Sequence, residues 1–164
     1  MTPDELVDAL QRYRDRAAAA MPEVAMAMAN TYKDHVQRVT LRRSYAAPGQ
    51  FGSPSPPGSP PAWRTGLLAA SVTSWPGAYS GLSATAHVAP HTVYAATQEY
   101  GREIFAWRFH YMRWYNDRGW WYKKRVLVPP RPYLHPALAD VIGDGSLYRA
   151  AVLEFRIMTA GWQY

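Results

Sequence analysis

Apolar side chains recur at three- and four-residue spacing from the start of the chain: Leu6, Leu10, Tyr13, Ala17, Met21, Val24, Met28, Tyr32, Val36 and Val39. That period predicts a helix over about residues 3–41. Thr2 suits the N-cap, Pro3 the first helical position, and Asp4 with Glu5 the positive helix end. Pro22 falls inside the stripe, where it removes one backbone hydrogen bond and crowds the preceding turn. The stripe keeps its phase across Pro22, so a kink rather than a break is expected.

The pattern then changes character. Residues 45–62 are dominated by Pro, Gly and Ser, which predicts an extended or disordered loop, mobile or ordered against a partner. Thr65 is placed to cap a short helix through Ser71. Val72–Trp75 and Leu82–Val88 read as a hairpin, with Pro76-Gly77 and Gly81 in the turn region. His91–Tyr100 reads as a second short helix ended by Gly101 in left-handed geometry. Phe105, Trp107, Phe109 and Tyr111 occupy alternate positions, the period of a strand with one aromatic face. Asn116-Asp117-Arg118-Gly119 forms a turn, and Trp120 to Val128, including Tyr122, returns. A strand of about twelve residues is about 40 Å long, comparable with the diameter of a domain of this size, so the hairpin spans or overhangs its own body. A last amphipathic helix starts near Pro136 and is interrupted at Gly143-Asp144-Gly145. The fold class expected is α+β: a long N-terminal helix, a small antiparallel sheet with a long aromatic and basic hairpin, and a C-terminal helix. A single domain is expected over 1–164, with a helical segment 1–41, the loop 45–62, and an α+β core 63–160 carrying a hairpin arm at 103–128.

Composition changes this picture in two ways. The 164 residues include no cysteine, so disulfides, thiolate metal sites and a cysteine nucleophile are excluded. The start is acidic where a secretory signal is basic, and no run approaches the roughly 20 apolar residues of a membrane span, which predicts a soluble, cytoplasmically made protein with no membrane partner. Charge is also localised. Residues 101–131 hold eight basic side chains (Arg102, Arg108, Arg113, Arg118, Lys123, Lys124, Arg125, Arg131) against Glu103 and Asp117. This stretch carries the whole net charge of +6, so attraction to polyanions is local.

Candidate chemistry is sparse. Nucleophile elbows, phosphate loops and His-Glu-x-x-His helices do not occur. His87 and His91 have a metal-like offset, but Pro90 spoils the helix it would need, and His35, His110 and His135 stand alone. No catalytic residue, cofactor or metal is therefore expected. The aromatic hairpin admits three readings: a core or subunit-interface face kept soluble by its cations, a stacking platform for nucleic acid, or a cationic lining for a DNA-filled channel that needs no base contacts. A carbohydrate platform is disfavoured by the near absence of amides and acids.

Three segments, in order, resemble the neck or tail-completion proteins of long-tailed bacteriophages (siphoviruses), the family that includes minor tail protein Z. The first runs from Pro60 to Val72, with Thr65, Gly66, Leu67 and Ser71 in a Thr-Gly-x-Leu-x-x-Ser-aliphatic pattern. The second is Tyr94-Ala95 followed by Glu99-Tyr100-Gly101. The third is Arg131-Pro132-Tyr133-Leu134-His135-Pro136-Ala137-Leu138. Arg102 departs from the family, which often has Thr after the glycine, and residues 101–131 are longer and richer in Trp. The proline-rich loop before Trp63 is also enlarged.

The resemblance implies a non-enzymatic virion protein, assembled in the host cytoplasm, that forms a homo-oligomeric ring, expected to be a hexamer. The ring would lie between head connector or stopper proteins and the tail terminator or tail tube, around genomic double-stranded DNA. On that reading Phe105, Trp107, Phe109, Tyr111, Trp120 and Tyr122 make the subunit interface, and Arg108, Arg113, Lys123, Lys124 and Arg125 face the DNA channel or an acidic partner. Alternatives are a tail terminator or head-closure stopper of the same neck, or a free nucleic-acid-binding module using the hairpin.

Overall fold

A computed structural model describes residues 2–42, 55–107, 111–116 and 119–160. The first helix, α1 (Pro3–His35), opens with a capping box: the Glu5 amide donates to the Thr2 hydroxyl at 3.2 Å, and the Thr2 amide donates to the Glu5 carboxylate at 2.7 Å. Pro22 lies within α1, which continues through it as one helix. After His35 the backbone widens into a π-helical turn, Val36–Thr40, closed by the Leu41 amide on the Val36 carbonyl. The wider turn leaves Val36, Thr40 and Leu41 buried. It also sets Gln37 to donate to the carbonyls of Ala69 (3.0 Å) and Val72 (2.8 Å), so one side chain holds the end of the short helix α2 (Leu67–Ala70) and the start of the following strand.

Strands β1 (Val72–Ser80) and β2 (Ser83–Pro90) pair antiparallel, from Val72 opposite Pro90 to Ser80 opposite Ser83. The hairpin is longer than its apolar pattern predicts. Pro76-Gly77 lie inside β1, where the register shifts between Pro76 and Tyr79, and the reversal falls at Gly81-Leu82. A bulge accommodates the missing proline donor that a regular ladder would not. Helix α3 (Ala95–Tyr100) starts later than expected and ends at Gly101. That glycine has φ 70° and ψ 163°, a positive-φ extended conformation rather than the left-handed helical one.

The aromatic segment is a correction. Phe105 to Tyr111 do not form one strand. β3 (Arg102–Phe105) pairs with β6 (Arg125–Val128), and β4 (Met112–Asn116) pairs with β5 (Gly119–Lys123). Between the pairs Phe105–Arg125 and Met112–Lys123 the chain has six residues on one side and Lys124 alone on the other, and the Ala106 amide donates to the Lys124 carbonyl at 3.0 Å. The surplus of residues on one strand breaks the alternation that the sequence shows.

The chain ends its described part with α4 (Leu134–Gly143) and α5 (Ser146–Thr159), joined through Gly145 at φ 71°. The interruption falls where the glycines predict it. Asp144 accepts from the Ser146 amide at 2.7 Å, and the Ser146 hydroxyl, together with this amide, holds its carboxyl below the usual range. Helix α1 packs against α5, α4 and the β1–β2 hairpin. Its buried residues are Ala17, Ala20 and Ala29, small side chains that let the neighbouring elements approach closely. The core lies where the π turn, α2, β1 and α4 converge: Val36, Leu41, Ala69, Val72, Tyr133 and Ala137, flanked by Tyr32, Leu68, Val88 and Leu134. The fold is α+β, with a long N-terminal helix, small antiparallel sheets and C-terminal helices. Among the described residues no helix is long and apolar enough to cross a membrane.

Candidate functional site

The second and third family-like segments are joined at Glu99, and all three contribute to one cavity beside it. Glu99 lies on the last turn of α3, and its side chain is almost fully buried at 4% exposure. The amides of Tyr133 (2.8 Å) and Leu134 (3.0 Å) donate to its Oε2, and the amide of His135 (3.2 Å) donates to its Oε1. The His135 ring lies 3.1 Å from Oε1 through Nδ1. These are the N-cap and first two helical positions of α4, and the third is Pro136, which has no amide to satisfy. The helix start is thus fully accounted for by one carboxylate and one proline. Burial pushes the Glu99 carboxyl up, but the amides of Leu134 and Tyr133, with His135, outweigh it and hold the carboxyl below the ordinary glutamate range.

The same junction is tied at other points. The Arg131 amide donates to the Gln98 carbonyl at 2.6 Å. Gly101 passes so close to the opposing chain that a Cβ there would lie 2.8 Å from the Pro130 nitrogen and 2.9 Å from the Val128 oxygen. Arg131 is buried at 9% exposure, and its Nε donates to the Ser55 carbonyl at 2.9 Å. The Gly58 amide donates to the Pro130 carbonyl. From Ser55 onward the proline-rich segment is therefore ordered against its own chain; residues 45–54 lie outside the described residues. Tyr133 is fully buried, and Pro132 and Leu134 beside it are half-buried.

The first segment closes the arrangement. Thr65 accepts from the Leu67 amide at 3.3 Å, but the cap position belongs to Gly66, at φ 74° and pressed against the Trp63 ring. The Ser71 hydroxyl donates to the Leu68 carbonyl at 2.7 Å, and the Ser71 carbonyl accepts from the His91 amide. Trp63, Gly66 and Leu67 from the first segment, Tyr94 and Gln98 from the second, and Arg131 from the third line a cavity of about 300 Å³. Tyr100 is exposed and sets its ring edge-on to His135.

The arm is the second candidate surface. Phe105, Trp107, Tyr111, Trp120 and Tyr122 are all exposed, Trp107 at 98%, so they are not the core of their own chain. Cross-strand pairs bring Arg113 opposite Tyr122 and Tyr115 opposite Trp120 on one face, with the Tyr115 and Trp120 rings 5.4 Å apart. Cations and aromatics share this face rather than dividing between two. The Arg113 guanidinium lies 5.5 Å from the centre of the Trp120 ring, and the Lys124 ammonium 5.6 Å from that of Tyr111. Arg125 pairs with Glu103 at 3.2 Å, and Lys123 is exposed at the end of β5. Arg108, Phe109 and His110 lie outside the described residues.

Two contributors carry no sequence signal of their role. Gln37 sits in the polar part of a helical pattern, and Tyr32 reads only as part of the apolar stripe, yet its hydroxyl donates to the Leu134 carbonyl at 2.9 Å. The histidines have structural settings. The His87 ring stacks on Trp75 with centroids 5.5 Å apart, His91 lies 2.6 Å from the Thr73 hydroxyl, and His35 lies 3.4 Å from Asp140. Among the described residues no group of three or more His, Asp or Glu could hold a metal. No protein-family model matches the chain, and neither does any curated protein or solved structure.

Proposed function

We propose that this chain is a non-enzymatic structural protein of the neck of a long-tailed bacteriophage. It assembles as a closed homo-oligomeric ring, six-fold in the form expected, between the head connector and the tail tube, and completes or joins the tail around the DNA passage. One observation carries the reading. Of the three segments that resemble the neck family, each weak alone, the second and third are clamped together at Glu99 and all three line one cavity. Glu99, the buried acid among the described residues, spends its oxygens on backbone amides, which suits a structural clamp. The exposed aromatic arm supplies a surface for a neighbouring subunit, and its cations suit a DNA passage or an acidic partner. The same ring at an adjacent station, as tail terminator or head-closure stopper, is the nearest variant of this reading.

The test is solution mass by light scattering over a wide concentration range, with negative-stain imaging. Closed rings are expected, and their rotational symmetry gives the subunit number. A second reading, a free nucleic-acid-binding module, draws on the cation-over-ring pairs Arg113–Trp120 and Lys124–Tyr111. A monomer at every concentration that retains single-stranded or duplex DNA in a gel shift would favour it over the ring.

A further inference from the structure

We infer that the cavity shared by the three family-like segments is a docking site for an acidic side chain on a segment of a partner protein, with Arg131 as its counterion. The site does not depend on whether the chain closes into a ring.

Arg131 is a buried cation without an anion. A guanidinium has five N–H donors. Here Nε donates to the Ser55 carbonyl at 2.9 Å and Nη1 meets the Pro129 carbonyl at 3.5 Å, while Nη2 has no hydrogen-bond partner among the described residues. Arg131 also forms no ion pair among them. A guanidinium so placed gives up much of its hydration, a cost that a paired carboxylate ordinarily offsets. Glu99, across the junction, does not serve, because both its oxygens accept from the amides of Tyr133, Leu134 and His135. Nor can the walls supply an acid: apart from Arg131 the cavity is built from residues between Leu41 and Gln98, and the sequence has no acid between Asp34 and Glu99. Ser55, also in the lining, adds a second unanswered group, for its hydroxyl is buried without a hydrogen-bond partner among the described residues.

Shape selects the kind of anion. At about 300 Å³ the space is at the small end of ligand pockets. Its inner side has the buried Arg131, Ser55 and Leu41, whereas Trp63, Leu67 and Tyr94 are each more than a third exposed and form its mouth. Arg42, 5.9 Å from the centre of the Trp63 ring, adds positive charge outside. An anion therefore reaches the guanidinium past apolar groups, which calls for a carboxylate on an apolar stem. A glutamate beside an apolar residue has that form, the neighbour covering Trp63 and Leu67. A nucleic-acid phosphate, strongly hydrated and held between two sugars, does not. A free metabolite would be enclosed on nearly all sides, and this mouth is open. Trp, Tyr and Arg around one small pocket are also the side chains on which protein contacts concentrate their affinity.

The test titrates the full chain with the capped peptide acetyl-Phe-Glu-Leu-amide, following the Trp63 indole N–H by NMR. Saturable binding is expected, and at least tenfold weaker binding of the peptide with Gln in place of Glu. Because Arg131 also ties Ser55 in place, the variant alters the exposed mouth instead: Leu67→Glu puts a carboxylate there and is expected to weaken the Glu peptide at least tenfold, with an unchanged circular dichroism spectrum. Equal binding of the Glu and Gln peptides, unaltered binding by Leu67→Glu, or no saturation up to about 10 mM would overturn the proposal. Displacement of the peptide by a thymidine oligonucleotide at lower concentration than by the Glu peptide itself would assign the site to a nucleic-acid phosphate and overturn it too. Tighter binding of 3-phenylpropionate than of the peptide would assign it to a free carboxylate, with the same result.

Discussion

The Tyr32 hydroxyl donates to the Leu134 carbonyl at 2.9 Å across 102 residues of chain, while the amide of the same leucine donates to Glu99. Both polar groups of Leu134 are thus held by side chains from other elements. Burial first, and then the nearby Glu99 charge, push the Tyr32 hydroxyl up to about 12, so it stays a donor at any physiological pH. Tyr133, one residue earlier, has its hydroxyl buried without a hydrogen-bond partner among the described residues. The two tyrosines should therefore respond oppositely to losing that group. Tyr32→Phe is expected to cost about 1 kcal/mol in denaturant unfolding, and Tyr133→Phe to be neutral or stabilising. A Tyr133→Phe loss as large as that of Tyr32→Phe would contradict this.

Acid should loosen the clamp. The Glu99 carboxyl is held below its ordinary value by the amides it accepts, despite the upward push of burial. A carboxyl depressed in the folded state contributes stability that is complete above the unfolded value of about 4.3 and is lost as pH falls through the lower folded value. Melting temperature is expected to hold steady near neutrality and to drop once pH goes below about 4.3. Glu99→Gln should begin about 2–3 kcal/mol less stable at pH 7 and lack that part of the acid slope. Parallel pH profiles for the two proteins would show that Glu99 does not titrate through this contact.

Gly101 and Gly58 both have positive φ, but only Gly101 has neighbours at the place of a missing side chain. Gly58→Ala carries the conformational penalty alone, about 1–2 kcal/mol. Gly101→Ala adds a collision with Pro130 and Val128 at a junction held by Glu99, so its loss of stability should exceed that of Gly58→Ala by 1 kcal/mol or more, roughly the cost of an overpacked site. Equal effects on urea midpoints would mean that the chain opens there without resistance.

Trp107→Ala with Phe109→Ala should abolish assembly and leave the folded monomer intact. Trp107 contributes nothing to its own chain's core, so Trp107→Ala alone should leave the unfolding midpoint within about 0.5 kcal/mol of the wild type. Intact rings by light scattering in the double variant would show that these aromatics are not at the subunit contact.

Much of this architecture was legible in residue order, for local reasons. The period of α1, its Thr2 cap and the break at Gly143-Gly145 depend on neighbours three or four positions apart, which sequence displays directly. The π turn after His35 was not legible, because one extra residue per turn leaves no mark in an apolar pattern. Pro76-Gly77 looked like a turn because those residues favour one in isolation, whereas the pairing of β1 with β2 absorbs them as a bulge. Glu99 and Tyr133 could be singled out by the segments they belong to, but their contact spans 34 residues and exists only once α3 and α4 are docked. Gln37 had no signal, since an amide on a helix is ordinarily solvated.

The position of the clamp along the chain also orders its synthesis. Made from the N-terminus onward, the polypeptide holds Glu99 as a carboxylate without its donors until residues 133–135 have left the ribosome. The hydrophobic cluster likewise waits for Tyr133 and Ala137. The residues before Tyr133 include α1 and the β1–β2 hairpin, which pack on each other, but neither the clamp nor the hydrophobic cluster is complete until Tyr133 and Ala137 have joined them. Truncation before Tyr133 should therefore leave a chain without a closed core, read as loss of a cooperative unfolding transition.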